Sequence, residues 1–265
     1  MREPLNVNAS TEINVTSKGH VAVVEIRRPP HNFFDLALIR QLASAFERLD
    51  ADKNCRSIVL ASEGTAFCAG ANFGGPRTVA TEDHRGAVNP LYLEAIRLFA
   101  CAKPVVAAVH GAAVGGGLGL ALVADFRITC PEAKFTANFS RLGFHPGFGL
   151  SVTLPRLIGQ QRANLLMLTG RRIGGEEAVA IGLADVLVAQ SAVRAEALRL
   201  AEEIAVSAPL AVVSTRATLR GNLLAQVKDA VAHESREQEW QFRTQDFKEG
   251  IKAMAERRQP QFQGC

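Results

Sequence analysis

The sequence predicts an α/β fold in which strand–helix units come first and a run of helices closes the chain. Short apolar stretches of strand character alternate with amphipathic stretches as far as about residue 191. After that, four successive segments have helical periodicity and no strand pattern. The hydrophobic content is 48% over 265 residues, which is ample for a core. We therefore predict a core over residues 12–191 and a helical region over residues 192–262.

The first elements have clear local signals. Glu12–Thr16 and His20–Ile26 alternate apolar and polar residues around a Ser-Lys-Gly turn, which predicts a hairpin. Asp35 is a suitable N-cap, because apolar residues recur behind it at helical spacing as far as Leu49. Ser57–Ala61 is predicted to be a short buried strand, followed by a loop of small residues at 63–72.

The remaining elements follow from apolar runs and their punctuation by glycine and proline. After residue 90, the predicted strands in addition to the central stretch are Asp125–Thr129, Ala133–Thr136 and Ala184–Val188. The predicted helices are Leu91–Ala102, Phe148–Ile158, Arg162–Leu168, Gly175–Ile181, Ala192–Val206, Pro209–Leu219, Leu223–Trp240 and Thr244–Arg257.

The stretch Lys103–Gly119, KPVVAAVHGAAVGGGLG, is the most distinctive part of the sequence. It predicts a buried strand over Val105–Val109, a tight loop, and a buried helix that begins at the glycines 115–117. Glycine lets backbone N–H groups approach a bound group closely, and a helix N-terminus supplies unpaired donors. The pattern therefore indicates a site for a negative oxygen, although a tightly packed helix crossing explains the same glycines equally well.

Nucleotide binding is disfavoured by the spacing of these glycines. Gly115-x-Gly117-x-Gly119 is followed by Leu120, so the dinucleotide fingerprint G-x-G-x-x-G is incomplete. No acidic residue lies about twenty positions beyond the glycines to bind a ribose, and there is no G-x-x-x-x-G-K-[ST] motif.

The composition indicates which cellular compartment and which classes of partner to expect. The net charge of +4 is mild and the arginine pairs are scattered, which is typical of a solvated surface rather than a nucleic-acid site. No apolar run reaches the ~18 residues of a membrane span, and residues 1–12 lack a signal-peptide core. Five cysteines without C-x-x-C spacing favour a reducing compartment and argue against zinc or disulfides. We expect a cytoplasmic protein without a membrane, metal or nucleic-acid partner.

A series of motifs then gives a family resemblance. Phe67-Cys68-Ala69-Gly70-Ala71 precedes the central stretch, and Ala124-Asp125, Leu168–Ile173, Ala178–Leu183 and Glu249–Ala253 follow in order. Over residues 12–262 the chain resembles the enoyl-CoA hydratase/isomerase, or crotonase, family. The resemblance implies a spiral of ββα units with a C-terminal helical trimerisation region, a homotrimer or hexamer, and an acyl-CoA thioester as ligand. It implies no separate cofactor, because coenzyme A is part of the substrate.

The resemblance also assigns site residues. Two backbone N–H groups that hold the thioester oxygen map to Ala71 and Gly116, the second in the glycine stretch singled out above. Ala69, Asn72 and Phe73 match positions along the path of the nucleotide and pantetheine. The other predicted substrate contacts are His31, Phe33, Val114, Gly119, Asn138, Phe139 and Phe144.

The departures from the family pattern are equally informative. The two glutamates of its hydratases map to Gly119 and Phe139, and a third acid position of some relatives maps to Gly147. None of these residues moves a proton, whereas hydration needs both a base and an acid. We therefore expect enolate chemistry other than two-glutamate hydration. Decarboxylation, hydrolysis, and a catalytically silent acyl-CoA-binding or structural subunit remain as alternatives.

The loop Gly143–Gly147 supplies the remaining candidate for proton transfer. His145 lies within it, where relatives place catalytic groups, and a histidine titrates near neutral pH. By elimination, His145 is predicted to be the ionisable group that reaches the substrate α-carbon. His233 and Glu234, on a C-terminal helix, are predicted to be solvated surface charges.

Overall fold

The structure is a computed structural model, which describes residues 12–73 and 88–265. Its strands are β1 (Ile13–Lys18), β2 (Val21–Ile26), β3 (Ser57–Ser62), β4 (Ala66–Cys68), β5 (Val105–Val109), β6 (Ala112–Val114), β7 (Phe126–Thr129), β8 (Lys134–Thr136), β9 (Arg172–Gly174) and β10 (Val186–Leu187). Its helices are α1 (Leu36–Ala51), α2 (Pro90–Phe99), α3 (Gly116–Ala121), α4 (Leu150–Ile158), α5 (Gln160–Thr169), α6 (Gly175–Ala180), α7 (Val193–Ala205), α8 (Pro209–Arg220), α9 (Leu223–Gln241) and α10 (Gln245–Ala255). Short 3-10 turns occur at Asn138–Leu142 and Gln190–Ala192.

The strands form two sheets, and both draw strands from many parts of the sequence. The first has the order β1-β2-β3-β5-β7-β10, with only β1 antiparallel to its neighbour. The second has the order β4-β6-β8-β9. Three times in succession the chain adds one strand to the first sheet and the next to the second, as β3–β4, β5–β6 and β7–β8. Within the described residues, the next helix after the first pair is α2 and the next after the second pair is α3. This is the spiral of ββα units that the resemblance implied.

The hairpin and the first helix form as their sequences predict. β1 pairs with β2 in register from Ile13–Ile26 to Lys18–Val21. The Asp35 carboxylate accepts a hydrogen bond of 2.9 Å from Leu38 N, which satisfies one of the free donors at the start of α1. The buried face of α1 contains Leu38, Ile39, Leu42, Ala43, Ala45, Phe46 and Leu49. Fully burying a large apolar side chain contributes about 1.5–3 kcal/mol, so this face anchors the helix on the sheet.

Three short strands differ from the sequence prediction. Residues 66–68 and 112–114 were predicted as loop or turn but fold as β4 and β6, and β9 was not predicted. Strands of three residues are too short for a period-2 pattern, and they exist here because each pairs with a neighbour in the second sheet. α3, predicted to begin at the glycines, begins at Gly116.

The four predicted C-terminal helices are present as α7 to α10. α7 packs against β3, β5 and β7, with four residues of one face buried. α8, in contrast, has no buried residue, and Leu210 and Leu219 are 85% and 73% exposed. Within the described residues, no helix is long and apolar enough to cross a membrane. The same residues contain no group of three or more His, Cys, Asp or Glu side chains placed to hold a metal ion.

Candidate active site

The loop after β4 and the start of α3 border one cavity of about 170 Å³. The 3-10 turn after β8, the start of α2 and the end of α10 complete its walls. Its lining residues are Phe33, Phe34, Ala69, Gly70, Ala71, Asn72, Phe73, Leu91, Tyr92, Val114, Gly115, Gly116, Asn138, Phe139, Leu142, Phe144 and Met254. The lining is therefore largely aromatic and aliphatic, with few polar side chains, which is typical of a small-molecule site.

Two backbone donors belong to this cavity. Within residues 12–73 and 88–265, the N–H groups of Ala71 and Gly116 have no hydrogen-bond acceptor. The two segments touch, since a Cβ built on Gly70 would lie 3.9 Å from Gly116 N and 2.7 Å from Val114 O. Gly70 and Gly115 have φ angles of +87° and +55°, in the left-handed region where glycine is favoured. Glycine thus permits both the turns and the close approach.

The glycines of α3 are also required for packing. A Cβ on Gly116 would lie 2.4 Å from Phe34 Cζ, and one on Gly117 would lie 2.1 Å from Cys68 O. The packing explanation that the sequence left open therefore applies to these glycines. Gly116 also lines the cavity, and the site for a negative oxygen stays a prediction. Cys68 is fully buried, and burial raises the pKa of its thiol to about 12, so it is a packed residue rather than a nucleophile.

Aromatic side chains fill the three positions to which the resemblance assigns acids. A Cβ on Gly119 would lie 2.7 Å from Phe148 Cβ, and the Phe148 ring is fully buried. Phe139 is itself 5% exposed and lines the cavity. A Cβ on Gly147 would lie 2.1 Å from the hydroxyl oxygen of Tyr92. No side chain larger than hydrogen fits at positions 119 or 147 without displacing these neighbours.

Most of the residues predicted from the sequence meet at this cavity. Ala71 and Gly116 line it, and so do Phe33, Ala69, Asn72, Phe73, Val114, Asn138, Phe139 and Phe144. Their contacts with a substrate remain predictions. Three predicted residues are not among its lining: His31, Gly119 and His145. His31 is exposed and packs edge-on against Phe33 at 5.6 Å, while Gly119 is covered by Phe148.

The structure does not bring His145 into the cavity. Its Nδ1 lies 2.7 Å from the Pro146 carbonyl oxygen, and its ring packs edge-on against His233 at 5.6 Å. Its backbone N–H donates to Gln241, and its carbonyl accepts from Gln238. The loop is thus fixed to α9, and the imidazole lies on the α9 side of it. Elimination along the sequence had no means of telling which way this loop faces, and the geometry gives no support to a catalytic role.

The sequence prediction missed Phe34, Leu91, Leu142 and Met254 as cavity residues, and it placed Tyr92 only at the border of the acyl pocket. Tyr92 is the most informative of the cavity residues outside the predicted contacts. It is the only tyrosine of the sequence, so the composition by itself singles it out. It is 4% exposed, and its hydroxyl donates a hydrogen bond of 2.7 Å to Gln238 Oε1. Burial, and then the nearby charge of Glu234, raise the pKa of Tyr92, so the phenol stays protonated.

Glu234 is not a surface charge, contrary to the sequence prediction. It is fully buried and accepts hydrogen bonds from Gly149 N at 2.8 Å and from Ser151 N and Oγ at 3.0 and 2.5 Å. Burial raises the pKa of this carboxyl. Its three donors lie at the start of α4, so it caps that helix from α9. His233, the neighbouring residue, is exposed as predicted.

A larger cavity, of about 550 Å³, lies beneath α8 and away from these residues. Its walls are mainly aliphatic, with Asp125 and three arginines, Arg156, Arg216 and Arg220, among them. It contains neither of the two free backbone donors. By size, this larger cavity would be the candidate active site. The smaller cavity is the better candidate, because the two free N–H groups there can bind a negative oxygen.

Comparison with known proteins agrees with this architecture. Residues 16–265 match the family model described as enoyl-CoA hydratase/isomerase. An enoyl-CoA isomerase/hydratase of Zymoseptoria tritici is 36% identical, over 93% of this chain and 84% of its own length. The crystal structure of an enoyl-CoA hydratase/isomerase from Pseudoalteromonas atlantica has a TM-score of 0.86 at 30% identity, covering 95% of this chain and all of that one. An enoyl-CoA hydratase from Bacillus anthracis has a TM-score of 0.74 at 32% identity, covering 96% and 100%.

The chain belongs to the enoyl-CoA hydratase/isomerase family of enzymes. The family and the crotonase-type fold are thereby established.

Proposed function

We propose that this enzyme binds an acyl-CoA thioester and stabilises its enolate with the backbone N–H groups of Ala71 and Gly116. The observation that supports the proposal is the meeting of two unpartnered donors at one largely apolar cavity. Few other groups compete for a developing negative oxygen there, and low polarity strengthens the interaction. Each such donor contributes about 2.7–4 kcal/mol to transition-state stabilisation in comparable sites.

The filled acid positions favour some reactions of this kind over others. Two-glutamate hydration is disfavoured, because Gly119 and Phe139 carry no proton-transferring group and Phe148 occupies the space at 119. Decarboxylation suits the site better, since loss of CO₂ leaves the electron pair on the α-carbon without a base and still needs an oxyanion hole. Ring-cleaving hydrolysis is the other alternative within the family.

Binding is the first test. Calorimetry with acetyl-, acetoacetyl- and octanoyl-CoA should give saturable binding to at least one thioester. Folded protein that binds none of them would contradict the proposal. Turnover with crotonyl-CoA, a 3-enoyl-CoA and methylmalonyl-CoA then separates hydration, isomerisation and decarboxylation. Crotonyl-CoA turnover at ordinary enzyme rates would refute the argument against hydration, and binding without any turnover would favour a silent acyl-CoA-binding subunit.

The donor at position 71 can be removed by a substitution to proline. Ala71→Pro lacks the N–H, whereas Ala71→Gly keeps it and serves as the matched control. If the enolate forms here, Ala71→Pro should lower kcat by roughly 10²–10³-fold while Ala71→Gly stays within a few-fold of the wild type. Circular dichroism verifies that both variants fold. Equal rates for the two variants would remove this N–H from the mechanism.

We further propose that the enzyme is a homotrimer or hexamer, as the resemblance implies. The support is the apolar surface around α8, where Val206, Leu210 and Leu219 are 73–85% exposed. Light scattering after size-exclusion chromatography measures the assembly. A monomer at micromolar concentration would contradict this proposal.

A further inference from the structure

A chain of hydrogen bonds ends at Tyr92, a residue that lines the cavity, and its direction is fixed by chemistry. It begins at the carbonyl oxygen of His145, which accepts 2.8 Å from Gln238 Nε2. A carbonyl oxygen only accepts, so the amide of Gln238 must present its Nε2 to His145. The Oε1 of the same amide therefore faces the Tyr92 hydroxyl, which donates to it at 2.7 Å.

This direction commits the single proton of Tyr92. A phenol has one hydrogen to donate, and here Gln238 takes it. The phenol oxygen can still accept, yet it accepts no hydrogen bond from the residues at 12–73 and 88–265. Tyr92 lines the cavity and is 4% exposed, so a bound group that reaches the phenol oxygen meets an acceptor rather than a donor. Buried polar atoms without partners are costly, which makes this position selective.

Tyr92 is also well held. Its oxygen lies where a side chain at position 147 would begin, with a Cβ on Gly147 falling 2.1 Å from the oxygen and 2.6 Å from Gln238 Nε2. Glycine at 147 therefore leaves room for the Tyr92–Gln238 pair. The ring comes from α2 and the amide from α9, two helices that pack together. A hydrogen-bonding group braced in this way adds specificity, because it cannot turn to suit a different ligand.

We propose that Tyr92 determines acyl-group specificity by accepting a hydrogen bond from a hydroxyl group on the acyl chain of the thioester. The inference rests on the proposed function, since it assumes that an acyl-CoA occupies this cavity. A hydroxyl donates to Tyr92 and leaves the Gln238 contact intact. A ketone in the same place only accepts, so it forces Tyr92 to give up Gln238 or leaves two acceptors facing each other. A plain methylene makes no bond.

Tyr92 acts here as a partner for the acyl group and not as a base. The burial of the ring, and then the charge of Glu234, raise the pKa of the phenol, which therefore keeps its proton at neutral pH. Among the described residues that line the cavity, Tyr92 is the one with an ionisable side chain. Its identity thus affects which acyl group binds without requiring it to exchange a proton with the substrate.

The test compares ligands that differ at one or two carbons. Calorimetry measures the Kd values of butyryl-CoA, acetoacetyl-CoA, both enantiomers of 3-hydroxybutyryl-CoA, and 4-hydroxybutyryl-CoA for the wild type and Tyr92→Phe. The phenylalanine keeps the ring and loses only the hydroxyl. At least one hydroxyacyl-CoA should bind about 2- to 12-fold more weakly to Tyr92→Phe than to the wild type. The affinity for butyryl-CoA should change by less than about twofold, while that for acetoacetyl-CoA should stay the same or rise, because the acceptor that faces the ketone is gone.

A second variant tests the direction of the hydrogen-bond chain. Gln238→Met removes the acceptor that holds the Tyr92 proton, so the phenol becomes free to donate. Acetoacetyl-CoA should then gain affinity relative to butyryl-CoA, a change that a merely structural role of Gln238 would not produce. The absence of this gain would overturn the proposed direction.

The outcomes separate the two proposals. If none of the thioesters binds the wild type, the proposed function fails and this inference fails with it. If they bind and the hydroxyacyl thioesters respond to Tyr92→Phe no more than butyryl-CoA does, the proposed function stands and the role of Tyr92 is refuted. Equal losses for the ketone and the hydroxyl would refute the polarity argument.

Discussion

Replacing Gly119 with alanine tests the packing that closes the first glutamate position. A Cβ on Gly119 would lie 2.7 Å from Phe148 Cβ and 2.8 Å from Phe148 Cδ1. Carbon atoms prefer about 3.5–4.0 Å, so a fully buried ring must move by about 1 Å. Overpacking of this kind costs about 1–3 kcal/mol, whereas alanine in place of glycine within a helix contributes about 0.8–1.0 kcal/mol. The net expectation is destabilisation by about 1 kcal/mol.

Urea unfolding followed by circular dichroism measures this change in the free energy of unfolding. Gly174→Ala is the matched control, because a Cβ there would meet nothing closer than 3.8 Å and its φ of −86° suits alanine. That variant should change stability by less than about 1 kcal/mol. Helix propensity alone would make Gly119→Ala more stable than the wild type, and that result would refute the clash with Phe148.

A double-mutant cycle identifies the neighbour responsible. In a Phe148→Leu background the smaller side chain leaves room, so Gly119→Ala should cost less by about 0.5–3 kcal/mol than in the wild type. Strict additivity of the two changes would mean that something other than the ring resists the new Cβ. The same crowding predicts that Gly119→Glu alone destabilises the protein instead of restoring a hydratase glutamate.

Three further predictions concern ionisable residues. Burial alone would raise the pKa of Glu25, but hydrogen bonds from Arg194 and Arg27 outweigh it and hold the pKa below 4.5. The contribution of Glu25 to stability should therefore be present above pH 4.5 and lost as the pH falls through the folded-state pKa. The difference in stability between the wild type and Glu25→Gln, measured by urea titration, should shrink toward acid, and a difference independent of pH would contradict this. His145→Gln should leave turnover within a few-fold of the wild type, because the imidazole is not among the cavity-lining groups, and a fall of ~10²–10⁴ in kcat would return it to the mechanism. Lys103→Met should lower the free energy of unfolding by about 1–3 kcal/mol, because the buried ammonium donates to two carbonyl oxygens at the end of α1; the exposed Lys53→Met is the control, and equal effects would refute the assignment.

The filled acid positions connect these results to function. In this family member the glycines at 119 and 147 are not simply missing side chains, because Phe148 and Tyr92 occupy the space that side chains there would need. Restoring a single carboxylate therefore requires changing its neighbour as well.

The sequence by itself determined the elements whose signals are local. Periodicity, capping and proline placement predict the hairpin at residues 13–26, the Asp35 cap and the helices α1, α2 and α7 to α10. Each of these signals lies within the element that it predicts or directly beside it. The order of motifs gave the family, and it named Ala71 and Gly116 before any geometry was known. Those motifs can be recognised in the sequence because they are runs of adjacent residues.

Only the tertiary structure decided which short strands pair and which way the loop around His145 faces. The three-residue strands form through pairing with partners far along the chain, and no pattern within three residues encodes that pairing. Distant contacts also set the positions of His145 and Tyr92. The loop around His145 is fixed by α9, about ninety residues later, and Tyr92 bonds to Gln238 across 146 positions. Side-chain direction in a packed interior is set by such distant contacts, because steric exclusion and hydrogen bonding act through space and not along the sequence.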